Sequence, residues 1–179
     1  ATELNRISSH LLWVGAYLAD LGALTPFLFV FDDREQILDI LEGITGSRLP
    51  YCYFRFGGLY NDIDDNFLAR TMEFIKRLRD RFSLYESLVT GNVIFINRTK
   101  GIGTIEPERA RKYGVSGPVL RGAGIGMDLR KMEPYSIYGQ IDFAVPTGTR
   151  GDALDIYNCR VREMENSLKI IEQALAGLP

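Results

Sequence analysis

The sequence predicts a mainly α fold, a helical bundle of about four long helices joined by irregular, Gly-rich connections. Three observations carry this. Apolar residues recur at helical spacing in four long stretches. Strand-like alternation is nearly absent. Glycines, prolines and small polar residues gather between the stretches, most densely over residues 92–150. The chain has 179 residues, 46% hydrophobic and 25% charged. That is enough for one domain with a sizeable core, so a single helical domain over 1–179 is expected. The same composition excludes disorder and disulfide-dense scaffolds.

The first helix is expected from about Glu3 to Gly22. Leu4, Ile7, Leu11, Val14, Leu18 and Leu21 make one apolar face, and Leu12, Trp13, Ala16, Tyr17 and Ala19 extend apolar surface around the C-terminal half. A helix apolar on all sides is expected at the centre of a bundle. Thr25-Pro26 reads as an N-cap followed by Pro at the first helical position. The second helix then carries Val30, Ile37, Leu41 and Ile44 and stops at Gly46, with Asp32, Asp33, Arg34 and Glu35 assigned to water or to another subunit. An aromatic, Gly-containing loop runs from Leu49 to Asp62.

A third helix is expected from about Asp64 to Thr90, with Phe67, Phe74, Leu78, Phe82, Tyr85 and Val89 on one face. Asp64 and Asp65 suit its start, where the dipole favours anions, and Gly91 suits its end. Val93 to Ile96 reads as a short strand or a helical turn, and Pro107 to Tyr113 as a short helix ending at Gly114. The last helix spans about Asp152 to Ala176. Leu154, Tyr157, Val161, Met164, Leu168, Ile171 and Leu175 line it, and Gly177 stops it.

Twenty-one basic against twenty-three acidic residues give a net charge of −2, so a nucleic-acid partner is not expected. Cys52 and Cys159 are far apart, with no CxxC; both are expected to be buried, reduced thiols, and no metal site is expected. Leu11 to Phe31 carries only Asp20 as a charge. Asp20, Gly22 and Pro26 interrupt it, which excludes one continuous membrane span. The opening Ala1-Thr2-Glu3-Leu4 already lies in a helical pattern and the close falls just past a helix. The chain is therefore expected to be a piece of a longer polypeptide without a signal peptide of its own.

Gly101-Ile102-Gly103 and Gly122-Ala123-Gly124-Ile125-Gly126 lack the strand, the spacing and the following helix of a dinucleotide loop, and read as turn glycines. His10, the one histidine, reads as a structural side chain. Asp20 is a lone carboxylate where two helices meet. Buried unpaired it would cost several kcal/mol, on the order of a lost charge-assisted bond or more. It is therefore either a cap or ion-pair member, or an acid belonging to a site. Arg55, Arg121 and Arg130 sit in Gly-rich stretches, where arginines commonly tie loops together through forked hydrogen bonds. The run from Lys76 to Arg81 reads as a charged helix face, solvated or in a protein contact, rather than as a nucleic-acid surface.

Glu3 to Leu12 and Asp20-Leu21-Gly22-Ala23-Leu24-Thr25-Pro26-Phe27 resemble the core of the D-type subunit of NADH–quinone oxidoreductase, respiratory complex I. The likeness continues in Tyr53 to Gly58, Gly101-Ile102-Gly103, Ser116 to Gly122, Asp128-Leu129-Arg130-Lys131, Glu133-Pro134-Tyr135, Asp142-Phe143 and Arg162-Glu163-Met164. These follow the family order along nearly the whole chain. Tyr60-Asn61-Asp62-Ile63 departs from the family's Asp-Leu-Pro, and Met127 replaces a common Trp.

The resemblance implies a hydrogenase large-subunit-like core that has lost the metal. It implies a place on the cytoplasmic (or matrix, or stromal) face of the membrane, peripheral to it, among other subunits of a proton-pumping complex. It further implies quinone as the substrate, electrons arriving from an iron–sulfur cluster in a neighbouring subunit, and no cofactor bound directly. Asp20 matches the family's acid that pairs with a headgroup-binding His, which lies upstream of the matched part. Leu24, Phe27 and Leu28 would be cavity wall, and Arg55 would face the cluster-bearing subunit. The isolated piece would be inactive and is expected to self-associate through faces left bare. Two rivals stand beside this reading, the large subunit of an energy-converting hydrogenase and a helical scaffold with no site of its own.

Overall fold

The computed structural model describes residues 1–178. The described residues form eight α-helices, one π-helical turn, one 3-10 turn and a two-stranded hairpin, which confirms the mainly α fold. Their contacts gather into two compact units, Ala1–Tyr85 and the residues from Glu86 onward.

In the first unit, α1 spans Thr2–Asp20 and buries Leu4, Ile7, Leu11, Val14 and Leu18, the expected face. It ends in a Schellman cap. Gly22 adopts φ 84°, its N–H donates to the Ala19 carbonyl at 2.9 Å, and the Ala23 N–H donates to Leu18 at 2.8 Å. This turn reverses the chain into α2, Leu24–Thr45, which packs along α1 and buries Val30, Ile37, Leu41 and Ile44. Gly15 permits the approach, since a Cβ there would lie 2.8 Å from the Phe31 ring. α2 starts at Leu24 after Ala23, two residues before Pro26, and Thr25 is not its cap. Proline is still accommodated, because the first four helical N–H groups have no intrahelical acceptor.

The described residues do not wrap α1 on all sides. Leu12 and Ala16 are exposed, and Trp13 and Tyr17 are half-buried, stacked at 4.7 Å between ring centroids. After Gly46, at φ 74°, a short antiparallel hairpin forms from β1 (Phe54–Arg55) and β2 (Gly58–Leu59), pairing Phe54 with Leu59 and Arg55 with Gly58. Gly57 takes φ 85° in its turn, a value that favours glycine. α3, Asp65–Tyr85, is N-capped by Asp64, which accepts from the Phe67 N–H at 2.7 Å. It buries Phe67, Phe74, Ile75, Leu78 and Tyr85.

The second unit opens with the π-helical turn, Glu86–Thr90, closed by a bond from the Gly91 N–H to the Glu86 carbonyl at 2.8 Å. Then come α4 (Val93–Thr99), α5 (Pro107–Lys112), α6 (Gly117–Gly122), α7 (Leu129–Met132), the 3-10 turn (Tyr138–Gln140) and α8 (Ala153–Ala176). Residues 93–96 are therefore helical. α8 is capped by Asp152, fully buried, whose Oδ1 accepts from the Asp155 N–H at 2.9 Å and whose Oδ2 accepts from Gly101 at 2.8 Å. Gly101 and Gly103 adopt φ 73° and 65°, as turn glycines do. α6 lies against α8 because Gly122 has no side chain; a Cβ there would meet Ile156 at 2.8 Å. Tyr138, Ile141, Phe143 and Ile170 form one apolar cluster, and Ala110, Leu120 and Ala123 another.

Candidate functional site

Four of the five candidate residues meet at the α1–α2 turn. Asp20 is the last residue of α1 and Leu24 the first of α2, with the Schellman cap between them. Asp20 is exposed, which corrects the expectation of a buried carboxylate that needs a partner. The reason is helical phase. Leu18 takes the buried side, and two residues on, at about 100° each, Asp20 points to the opposite side. No hydrogen bond or ion pair to its carboxylate occurs among the described residues. A carboxylate at a helix C-terminus faces the negative end of the dipole, and nothing among the described residues offsets that.

Leu24 and Leu28 lie one helical turn apart on α2, each with 66% of its surface exposed. Phe27 is half-buried and packs on Phe31 at 4.3 Å between ring centroids. Leu24 and Leu28 thus stand open beside the turn that follows the open carboxylate, with Phe27 half-buried between them.

Arg55 lies apart from this group, in the hairpin. Its Nη1 sits 2.7 Å from the Cys52 Sγ, and its guanidinium lies 5.1 Å from the centre of the Tyr60 ring. Phe54, Phe56, Leu59 and Tyr60 around it are exposed, and Arg55 is the one charge from Leu49 to Tyr60. Cys52 is exposed, contrary to expectation, because it lies at the foot of this open hairpin. Cys159 is buried as expected, and burial pushes its thiol up to about 11, helped by the Glu163 charge.

The expected loop-tying role holds for the other two arginines. Buried Arg121 donates from Nε to Glu163 at 2.6 Å and from Nη1 to the Met127 carbonyl at 2.8 Å. Buried Arg130 donates from Nε and Nη2 to the two oxygens of Asp128 at 3.0 and 2.7 Å, and its guanidinium lies 4.7 Å from the Phe143 ring centre. Burial opposes ionisation of Asp128, but the hydrogen bonds and charge of Arg130 outweigh it and hold its carboxyl below the usual range.

The carboxylate that is fully buried in the first unit is Asp33, which corrects its assignment to water or to another subunit. Of the two readings of the Lys76 to Arg81 run, Arg77 and Arg81 take the protein contact: both turn back to Asp33, donating from Nε at 3.2 and 3.3 Å. The Tyr85 hydroxyl donates to its other oxygen. Burial, then the Asp33 charge, raises the Tyr85 hydroxyl well above its ordinary value, so it stays protonated as the donor. A sequence signal exists, since Arg77, Arg81 and Tyr85 repeat every four residues on a helix whose neighbour carries Asp32-Asp33. Among the described residues, no three His, Cys, Asp or Glu side chains come together as a metal site, and no helix is long and apolar enough to cross a membrane.

The family profile described as "Respiratory-chain NADH dehydrogenase, 49 Kd subunit" matches residues 20–179. The chain is 60% identical over 178 residues to a protein of Syntrophobacter fumaroxidans named as the D-type subunit of NADH-quinone oxidoreductase, covering 99% of this chain and 48% of that protein. It is 59% identical to the protein of the same name from Desulfotalea psychrophila, over 99% of this chain and 48% of that protein. Identity to the one from Bacillus mycoides is 48%, over 100% of this chain and 49% of that protein. The chain spans about half the length of the curated relatives it matches. With the profile covering all but its first nineteen residues, the chain belongs to the family of the 49 Kd subunit of the respiratory-chain NADH dehydrogenase.

Proposed function

We propose that this chain is part of the D-type subunit of a proton-pumping NADH–quinone oxidoreductase, the part that helps form the cavity where a quinone is reduced. The observation that carries the reading is the 60% identity, over 99% of the chain, to a protein named as that subunit of NADH-quinone oxidoreductase. In this role Asp20 orients and charges a His from elsewhere in the parent polypeptide, which supplies a proton to the reduced headgroup. An open carboxylate at the unfavourable end of a helix dipole, with no partner among the described residues, supports a partner outside them.

Leu24, Phe27 and Leu28 form apolar wall for the lipophilic ring, a reading supported by the exposure of Leu24 and Leu28 beside the turn. The Arg55 hairpin faces the neighbouring subunit, whose iron–sulfur cluster delivers the electrons. On this reading the cluster is held by the neighbour's own ligands. The parent sits peripherally on the cytoplasmic, matrix or stromal face among other subunits, and the piece alone is inactive.

The test is Asp20→Asn in the parent complex, assayed in membranes. Quinone-linked NADH oxidation should fall by about tenfold or more, while NADH oxidation by a water-soluble acceptor upstream of quinone is retained. Full quinone turnover in an assembled Asp20→Asn complex would remove Asp20 from the mechanism.

A further inference from the structure

Two stripes run side by side along α2. Leu24, Leu28 and Asp32 follow one another at four-residue spacing, and all three are exposed. Pro26, Val30, Asp33 and Ile37 follow at spacings of four, three and four, and all four are buried. The adjacent acids therefore straddle the border between the open and the buried side of the helix. Arg77 and Arg81, one turn apart on α3, each span that border. Arg77 donates from Nη2 to Asp32 at 2.5 Å and from Nε to Asp33 at 3.2 Å; Arg81 does the same at 2.9 and 3.3 Å.

Tyr85 supplies a third donor to Asp33. The cluster is balanced, two carboxylates against two guanidiniums, and the Arg81 guanidinium also lies 5.2 Å from the centre of the Phe29 ring. Turning α2 by one residue, about 100°, would break all four ion pairs and leave a fully buried carboxylate unpaired. Apolar packing would hold two helices together at least as well as this arrangement, but it would set their rotation less sharply.

We propose that Asp33 is a positioning residue for the quinone substrate. Clamped by Arg77, Arg81 and Tyr85, it fixes the rotation of α2 about its own axis. That rotation sets the direction in which Leu24, Phe27 and Leu28 face. The inference rests on reading those three residues as quinone wall.

The test is made in the assembled parent complex, with a short-chain quinone as substrate. Asp33→Asn should raise KM for that quinone about threefold or more and leave kcat within about twofold, with oxidation of NADH by a water-soluble acceptor unchanged. Arg81→Lys, which keeps the charge and loses the fork, should raise KM by less. Should Asp33→Asn fail to assemble, Arg81→Lys is read alone, a raised KM supporting the clamp and an unaltered KM overturning it. Leu28→Ala separates the two levels. A raised KM there, beside an unaltered KM in Asp33→Asn, overturns this inference only. An unaltered KM in Leu28→Ala removes the quinone wall and the inference with it.

Discussion

Two aspartates thirteen positions apart exchange the environments that local composition suggests for them. Asp20, alone among apolar neighbours, is open, and Asp33, inside a charged run, is fully buried. Counting charges in a window cannot separate these cases. Burial follows rotational phase, and Asp33 stays in phase with Val30 and Ile37 while Asp20 lies opposite Leu18. The acids of the second unit give a pH prediction. Asp128 titrates low, as described. Asp155 does too, because backbone N–H donors at Arg150, Thr149 and Gly151 outweigh its partial burial. A carboxyl with a depressed folded-state pKa contributes stability above its unfolded value, about 3.9, and loses it as pH falls through the folded value. Urea midpoints should therefore drop as the pH is lowered below about 4, and Asp128→Asn should flatten that acid limb while lowering the neutral plateau.

At the level of elements, the long helices are legible in the sequence and the short ones are not. α8 begins after Asp152 and ends before Gly177 as expected, because a capping acid, an unbroken apolar repeat and a terminal glycine all agree. α6 and α7, six and four residues long, are too short for a periodic signal. The π-helical turn is not read from the sequence, because the four-residue spacing of Tyr85 and Val89 fits an α-helical turn as well. The glycines over 122–126 read as loop punctuation, yet Gly122 belongs to α6 and serves its approach to α8. Gly122→Ala should destabilise the chain by about 1–3 kcal/mol through overpacking against Ile156, measured by urea unfolding. An unchanged midpoint would show that Ile156 can yield.

For the molecule as a whole, about half of the exposed large apolar side chains stand in groups, while others, such as Leu12, Met72 and Tyr113, stand singly. Leu24 and Leu28 stand at the α1–α2 turn, Phe54, Phe56, Leu59 and Tyr60 on the hairpin, and Leu129, Met132, Tyr135 and Ile137 along one segment of the second unit. Surfaces of this kind are characteristic of interfaces. Produced alone, the chain should therefore self-associate with rising concentration, and light scattering should report a mass above the 20.2 kDa of one copy. A strictly monomeric species would show that these patches are too small or too dispersed to drive association.

Apolar repeats, caps and glycine stops are local, so the residue order is enough to place the long helices, to set the mainly α class and to carry a family likeness that the 60% identity bears out. That Arg77, Arg81 and Tyr85 close on Asp33, and that the Cys52 thiol stays open, depend on how α2 is rotated against α3 and where the hairpin ends up. Those are properties of side chains brought together from distant positions, and no periodic pattern in one segment encodes the rotation of its neighbour.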